Sequence, residues 1–354
     1  MEKNHNMQAV VLEKVGELSV KTVAIPTCPA DGILIKVQAC AICATDVKVY
    51  RYGHKLIKPP RITGHELAGT VVATGKDVSM CRVGDRIAVA PAVPCGQCWY
   101  CRKGIESMCA DLTAIGYHYD GGFAEYMVVP PRAIKNNCVT VLPENVSFEE
   151  AALTEPLAAI LNCQEISVVN PGDTVVIIGG GSLGCLHAWV VRSHGAAKII
   201  VIDLSAERLA LSQISKADVF VDASREDAVK RVLVETDGRG ANVIIIACSS
   251  GKAQEQSLEM VCARGRINFF GSLPKGKSIV QLDSNLIHYK ECFVSGTQGS
   301  APRHNKQALE LIAKGTVPIR NLITHRLALA EFMQGMNIVE QGKGLKVVIL
   351  PGTR

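Results

Sequence analysis

The sequence predicts an α/β fold with two domains, one mainly β and the other built on a doubly wound parallel sheet. The chain has 354 residues, more than a single hydrophobic core usually organises, and 48% of them are hydrophobic, as in globular enzymes. Up to about residue 150, short strand patterns are broken by Gly, Pro and Asp. Beyond that point apolar runs alternate with helix-length amphipathic stretches, which is typical of a parallel sheet covered on both faces.

The first domain is predicted from the strand patterns "GILIKVQA", "GTVVAT", "DRIAVA" and "EYMVVP". After "VVNPGD" the apolar runs are "TVVIIG", "KIIVID", "DVFVD", "NVIIIAC", "RINFFG" and "ECFVSG", and the helix patterns between them include "SAERLALSQIS" and "AQEQSLEMVCARG". From about residue 301 the chain carries a helix pattern, "HNKQALELIAKG", and a last apolar run, "LKVVIL". Periodicity leaves two places for this tail, an extension of the parallel sheet or a return to the first domain.

Composition argues against several other classes of protein. The 38 basic and 33 acidic residues are spread along the chain, so the formal charge of +5 forms no dense basic face for nucleic acid. The amino-terminal residues are too polar for a signal peptide, and no apolar run approaches a membrane span. We therefore expect a soluble, cytoplasmic protein. Fourteen cysteines in a reducing compartment indicate metal binding rather than disulfides.

A dinucleotide-binding fingerprint joins an apolar run to a helix pattern in "TVVIIGGGSLGCLHAWVV". Gly179 allows the tight turn, Gly181 admits a pyrophosphate close to the backbone, and Gly184 allows close packing of helix on strand. Asp203 ends "KIIVID", where its carboxylate would accept both ribose hydroxyls of an adenosine and repel the additional phosphate of NADP. The alternative is a glycine-rich turn without a ligand, but strand, helix and acid together predict NAD. Arg208 would cover the adenine or form an ion pair on the helix surface.

Four cysteines lie close together in "CGQCWYCRKGIESMC", with spacings of two, two and seven residues. Four thiolates can close a tetrahedron around zinc and leave no position for water, which is the chemistry of a structural site. The alternative is an iron–sulfur cluster, but the ferredoxin run places its fourth cysteine after three residues and follows it with proline. Because neither feature is present, we predict a structural zinc held by Cys95, Cys98, Cys101 and Cys109.

A second group of candidate metal ligands comes from separate segments: Cys43 in "CATD", His65 and Glu66 in "GHE", and Glu155 in "TEPLA". Each has an ordinary explanation alone, as a buried thiol, a turn residue, or a solvated or helix-capping acid. Together they supply one thiolate, one imidazole and carboxylate, the ligand types of a catalytic zinc that keeps one position open for substrate.

The order of "CATD", "GHELAG", "VGDRIAV", the four-cysteine lobe, "GGFAEYMVVP", "EPLA" and "GGGSLG" resembles the zinc-containing medium-chain alcohol and polyol dehydrogenases across essentially the whole chain. Glutamates at 66 and 155, where other branches have a further cysteine, are similar to the sorbitol (L-iditol) dehydrogenase branch and its relatives acting on threonine, inositol derivatives and sugar-alcohol phosphates. The resemblance implies a GroES-like β domain, residues 1–162, completed by residues 301–354. It also implies a Rossmann domain over residues 163–300, a catalytic zinc in the cleft, and a dimer or tetramer.

The resemblance also assigns roles to individual residues. Cys43, His65 and Glu66 match the zinc-ligand positions, and Glu155 either ligates the zinc or holds its water. Thr45 matches the hydroxyl that takes the substrate proton and passes it outward; alternatively it only caps a turn. The residues matched to the cofactor site are Gly179, Gly181, Ser182, Leu183, Gly184, Asp203, Arg208, Gly271, Ser272, Leu273, Ser295, Gly296 and Thr297.

This chain departs from the pattern of its relatives at three positions. Lys48 stands where many relatives have the next histidine of the proton relay, and a lysine that keeps its charge relays protons poorly but attracts anions. Val49 and Gly299 stand where the sorbitol enzymes have a tyrosine and an arginine, which puts sorbitol itself in doubt. The stretch "KVYRYGHKLIKPPR" is basic and is either a solvated loop or a binding site for an anionic substrate.

We therefore predict NAD-dependent, reversible oxidation of a secondary hydroxyl on a polyol or related sugar-like alcohol. The alternatives are a phosphorylated polyol, an inositol derivative or a β-hydroxy amino acid as substrate. Quinone and enoyl reductases share the fold but lack both metal-ligand sets. A nucleotide-binding scaffold that has kept its metals would bind NADH and turn over no alcohol.

Overall fold

The parallel sheet predicted for the second half of the chain is present in the computed structural model, which describes residues 5–353. The chain divides into two units. One comprises the residues up to Ala158 together with those from Gly299 onwards, and the other is Ala159–Gln298. The boundary near Ala158 falls within helix α5, Thr154–Ser167.

The second unit contains six parallel strands in the order β13-β12-β11-β14-β15-β16, the arrangement of a Rossmann fold. The strands are β11 Thr174–Ile178, β12 Lys198–Asp203, β13 Val219–Asp222, β14 Ala241–Ile246, β15 Val261–Phe269 and β16 Phe293–Gly296. The helices are α6 Ser182–Ser193, α7 Ala206–Ser212, α8 Ala228–Glu235, α9 Gly251–Met260 and α10 Ser284–Lys290. None of the helices in the described residues is long and apolar enough to cross a membrane.

Both faces of this sheet are buried, which explains why its strands are continuous apolar runs. In β11, Val176 and Ile178 belong to one hydrophobic cluster, whereas Val175 and Ile177 belong to another. Successive side chains of a strand point to opposite faces, so the two clusters are the two sides of the sheet. The predicted doubly wound architecture is therefore confirmed.

The predicted helix "AQEQSLEMVCARG" ends earlier than its pattern indicates. Helix α9 stops at Met260, and β15 begins at Val261. The register with β14 shifts after Val261, and Arg264 has φ +57, so the start of β15 is irregular. Tertiary pairing with β14 has replaced the local helical preference of this segment.

The first unit is mainly β. Its strands are β1 Asn6–Lys14, β2 Glu17–Ala24, β3 Ile33–Ile42, β4 Arg61–Ile62, β5 Glu66–Thr74, β6 Arg86–Val89, β7 Ala92–Val93, β8 Thr113–Ala114, β9 Tyr126–Val129, β10 Val139–Val141, β17 Ile323–Leu327 and β18 Lys346–Ile349. Its helices are α1 Ala44–Tyr52, α2 Trp99–Arg102, α3 Pro131–Lys135, α4 Phe148–Ala152, α11 Pro302–Ala313 and α12 Phe332–Gln341.

The central sheet of this unit has the order β10-β6-β5-β3-β18-β17, and β9 also pairs with β3. Strand β18 pairs antiparallel with β3, so the tail returns to the first unit and does not extend the parallel sheet. The core beneath includes Phe123 and Phe332, whose rings meet edge to face with centroids 4.6 Å apart. Segments from both ends of the chain therefore build one core.

A substitution at Gly184 tests the packing of α6 on the nucleotide loop. An ideal Cβ on Gly184 would lie 1.9 Å from the carbonyl oxygen of Gly179, so Gly184→Ala should displace the helix. We expect a loss of about 2 kcal/mol of stability from this overpacking, with weaker NADH binding. The control is Gly180→Ala, whose Cβ would meet nothing closer than 3.4 Å. Calorimetric unfolding midpoints that fall equally in both variants would contradict this explanation.

Candidate active site

Three of the four residues predicted to hold a catalytic metal meet at one end of β3. Cys43 follows β3 and caps the amino terminus of α1, whereas His65 precedes β5 and Glu66 begins it. Because β3 and β5 pair antiparallel, with Ala41 opposite Glu66, the two segments come together. Candidate ligand atoms of Cys43, His65 and Glu66 lie within 4.8 Å of one another, and His65 and Glu66 are buried. The thiol, imidazole and carboxylate fit a single zinc ion.

Gly64 allows the turn that presents His65. Its φ is +98, a conformation that residues with a Cβ rarely adopt. A Cβ here would also lie 2.8 Å from the Cys40 sulfur and 2.9 Å from the Phe123 ring. The turn therefore packs directly on the core, and this packing fixes where His65 lies.

Asp46 connects the cysteine and histidine segments, and sequence reasoning gave it no role. Its Oδ2 accepts a hydrogen bond of 2.9 Å from the backbone N–H of Cys43, and its Oδ1 lies 3.8 Å from Nδ1 of His65. A buried carboxylate facing Nδ1 favours a proton there, which leaves the lone pair on Nε2. Burial raises the pKa of Asp46, while His65 and the Cys43 N–H oppose that rise.

Lys346 is the second residue that sequence reasoning missed. Its Nζ lies 2.5 and 2.6 Å from the two carboxylate oxygens of Glu66, and both side chains are buried. Burial lowers the pKa of Lys346, but Glu66 and Cys43 outweigh burial and raise it above its usual value. A single charge in the apolar run "LKVVIL" was the available signal, because β18 is buried along its whole length.

Glu155 lies in the first turn of α5 and is not part of the Cys43, His65 and Glu66 ligand group. Burial raises the pKa of its carboxyl to about 7, with His65 lowering it and Glu66 raising it. Glu155 is therefore near enough to feel the charges of the group. A divalent cation in the site would favour its ionised form.

Thr45 is half-buried in the first turn of α1. The basic stretch that follows it divides into two kinds of side chain. Arg51 pairs with Glu340 at 2.8 Å, and Arg61 pairs with Asp120 at 2.8 Å. The exposed lysines are Lys48, Lys55 and Lys58.

The four cysteines of the lobe are assembled as predicted from their spacing, with all four sulfurs within 4.8 Å of one another. The Cys98–Cys101 distance is 3.5 Å, and the Cys95–Cys101 and Cys98–Cys109 distances are 3.9 Å. A tetrahedron with Zn–S bonds of 2.3 Å has edges of about 3.8 Å, so the sulfurs fit one zinc ion. Backbone N–H groups lower the pKa of the Cys98 thiol to about 6, which favours the metal-binding thiolate.

The residues predicted to bind the cofactor lie in the second unit, at the carboxyl ends of its parallel strands. Gly179 and Gly181 lie between β11 and α6, and the residues from Ser182 to Gly184 form the first turn of α6. Asp203 ends β12 and accepts hydrogen bonds from the backbone N–H groups of Gly180, at 2.7 Å, and Ser205, at 3.0 Å. A parallel sheet brings these ends to one edge, where dinucleotides bind.

The other predicted cofactor residues follow neighbouring strands. Gly271, Ser272 and Leu273 come after β15, and Ser295, Gly296 and Thr297 are at the end of β16. The Ser295 and Thr297 hydroxyls are held by the amide of Asn268, at 3.1 and 2.9 Å. The Arg208 guanidinium lies near Gly181, 3.2 Å from where a Cβ on that glycine would be.

Comparison with known proteins identifies the family. The profile described as alcohol dehydrogenase GroES-like domain matches residues 17–140, and the profile described as zinc-binding dehydrogenase matches residues 182–314. The L-threonine 3-dehydrogenase of Bacillus licheniformis is 31% identical, covering 98% of this chain and 99% of that protein. The sorbitol dehydrogenase of Bacillus subtilis is also 31% identical, covering 98% of both. The chain belongs to the zinc-containing medium-chain alcohol dehydrogenases.

A crystal structure described as a zinc-binding dehydrogenase from Sinorhizobium meliloti 1021, bound to NADP, is similar with a TM-score of 0.91 and 33% identity, covering 98% of this chain and 99% of that one. The family resemblance and the α/β fold, with its GroES-like and Rossmann domains, are thereby confirmed. As a member of this family the protein is an oxidoreductase that acts on a small-molecule alcohol with a nucleotide cofactor. The two relatives are named for different substrates, threonine and sorbitol.

Removing Lys346 should expose the electrostatic cost of the buried Glu66 carboxylate. We expect Lys346→Met to lower the free energy of unfolding by about 3 kcal/mol, because a buried charge loses its partner. Adding Glu66→Gln should restore much of that loss. Lys14→Met, which breaks an exposed pair with Glu17, should leave stability unchanged. A double variant no more stable than Lys346→Met alone in urea unfolding would disprove the pairing.

Zinc analysis of cysteine variants should separate the two metal sites of this dehydrogenase. Cys43→Ala should lose one zinc per chain and all turnover while remaining folded. Cys98→Ala should lose a different zinc and also lower the unfolding temperature, because structural zinc binding contributes to folding. Cys28, whose sulfur contacts only backbone carbonyl groups, provides the control Cys28→Ala, which should retain both metals. Equal zinc content in all three variants would refute the assignment.

Proposed function

We propose that this protein is a zinc- and NAD-dependent dehydrogenase that reversibly oxidises a secondary hydroxyl of a polyol or sugar-like alcohol. The main support is the buried group of Cys43, His65 and Glu66, whose ligand atoms lie within 4.8 Å of one another. One thiolate, one imidazole and one carboxylate are protein ligands that leave a fourth position open on zinc, as catalysis requires. Similarity to a sorbitol dehydrogenase and an L-threonine 3-dehydrogenase supports a substrate with more than one polar group.

The chain's own residues supply position and proton handling in this proposal. When bound, zinc would lower the pKa of the substrate hydroxyl, and NAD would accept the hydride. Cys43, His65 and Glu66 hold the metal, and Glu155 either ligates it or orients its water. Thr45, two residues after Cys43, takes the departing proton through its hydroxyl. Exposed Lys48 does not continue this relay, so the proton passes from Thr45 to solvent.

Asp203 is the basis for proposing NAD. Its carboxylate ends β12 and is fixed by the backbone N–H groups of Gly180 and Ser205, so it cannot turn away easily from a ribose bound at this edge. A fixed negative charge disfavours a phosphate on that ribose. NADP remains the alternative, because the Sinorhizobium meliloti structure contains it and Arg208 supplies a nearby cation.

A neutral substrate is proposed over a phosphorylated one, an inositol derivative or a β-hydroxy amino acid. Arg51 and Arg61, the two arginines of the basic stretch, already pair with Glu340 and Asp120. The remaining lysines are exposed, and exposed charges contribute little to binding.

Initial rates on a matched panel would test this proposal. The zinc-loaded protein is assayed with NAD and with NADP on neutral polyols, their phosphates, inositols and β-hydroxy amino acids. We expect kcat/KM to be highest for a neutral polyol with NAD, by about 10-fold or more. Higher efficiency with a phosphate or with NADP would establish the corresponding alternative. NADH binding without turnover of any alcohol would identify a non-enzymatic scaffold.

A further inference from the structure

Tyr117 lies beside the candidate metal ligands, although sequence reasoning assigned it no role. It belongs to the loop between β8 and β9, and that loop is hydrogen-bonded to the segment that precedes β5. The N–H of Gly121 donates to the Ile62 carbonyl at 2.8 Å, and the N–H of Gly122 donates to the Gly64 carbonyl at 2.9 Å. These bonds bring the Tyr117 ring to a centroid distance of 5.8 Å from the His65 ring.

The Tyr117 ring is held on its other sides as well. His54 contacts it edge to face, with centroids 5.1 Å apart. It also packs against a small apolar cluster formed by Leu12, Val49 and Ile57. Contacts with an imidazole on each side and aliphatic side chains below restrict the ring to one orientation, so its hydroxyl is a preorganised group.

The hydroxyl itself has no hydrogen-bond partner among the described protein groups, and it is not one of the sealed, unpartnered polar atoms of residues 5–353. Burial, followed by the charges of Asp46, Cys43, Glu155 and Glu66, raises the pKa of Tyr117 above its usual value. The phenol therefore keeps its proton and is a hydrogen-bond donor. It is accessible, close to the metal ligands and available to an acceptor atom from outside the protein.

We propose that Tyr117 is a specificity-determining residue whose hydroxyl donates a hydrogen bond to an oxygen on the carbon next to the reacting carbon. This inference rests on the proposed function and narrows its substrate class to vicinal diols and longer polyols. The reacting oxygen would be held at Cys43, His65 and Glu66, so the oxygen one carbon further along is the one that Tyr117 can meet. A monohydric alcohol would leave the phenol unpaired, which reduces its reactivity.

The test compares butan-2-ol with butane-2,3-diol, which share a carbon skeleton and differ by one hydroxyl. We expect the wild-type kcat/KM to be at least about 10-fold higher for the diol, the effect of one hydrogen bond. Tyr117→Phe keeps the ring and its packing but removes the donor. It should lower kcat/KM for the diol about 10-fold and leave that for butan-2-ol unchanged. Its zinc content and unfolding temperature should equal those of the wild type.

Tyr50→Phe is the matched control, because Tyr50 packs against the same apolar cluster but makes no contact with His65. It should change neither rate. Equal losses for both alcohols in Tyr117→Phe, or a loss of zinc, would show that Tyr117 only supports His65 and would overturn the inference. Wild-type turnover with an unchanged diol-to-alcohol ratio in Tyr117→Phe would overturn it while leaving the proposed function intact. Wild-type protein that oxidises neither alcohol would count against both.

Discussion

The antiparallel pairing of β3 with β5 on one side and β18 on the other is the constraint on which the candidate active site depends. Cys43 follows β3, Glu66 begins β5 and Lys346 begins β18, so the register of two strand pairs sets the positions of all three side chains. A slip of one residue would turn each of them to the opposite face of the sheet. The metal ligands are therefore positioned by the backbone of a rigid sheet rather than by flexible loops.

Charge balance is the second constraint. Asp46, Glu66, Glu155 and the Cys43 thiol lie close together with little water around them, where negative charge is costly unless it is compensated. Lys346 compensates part of this charge through Glu66, and the raised pKa of Glu155 shows that some of it remains. A divalent cation would remove the rest. The same imbalance makes the site unsuitable for an anionic substrate without the metal in place.

The amino-acid sequence was informative wherever the signal was local. The apolar runs, the glycine fingerprint and the four spaced cysteines each lie within a short segment, and the sheet, the nucleotide loop and the sulfur tetrahedron correspond to them. Lys346 and Tyr117 could not be found in this way, because their neighbours are set by strand and loop pairings between distant segments. The end of α9 was misplaced for a similar reason: pairing with β14 outweighed a helical pattern that continued past Met260.

The partner of Glu66 comes from a strand 280 positions further along the chain. The nucleotide-binding unit is contiguous, Ala159–Gln298, so it can fold as soon as it leaves the ribosome, whereas the β unit must wait for β18. Until then the edge of β3 is open and the Glu66 carboxylate has no lysine. Newly made chains thus pass through a stage in which the redox cofactor domain is mature and the catalytic domain is an incomplete, aggregation-prone sheet.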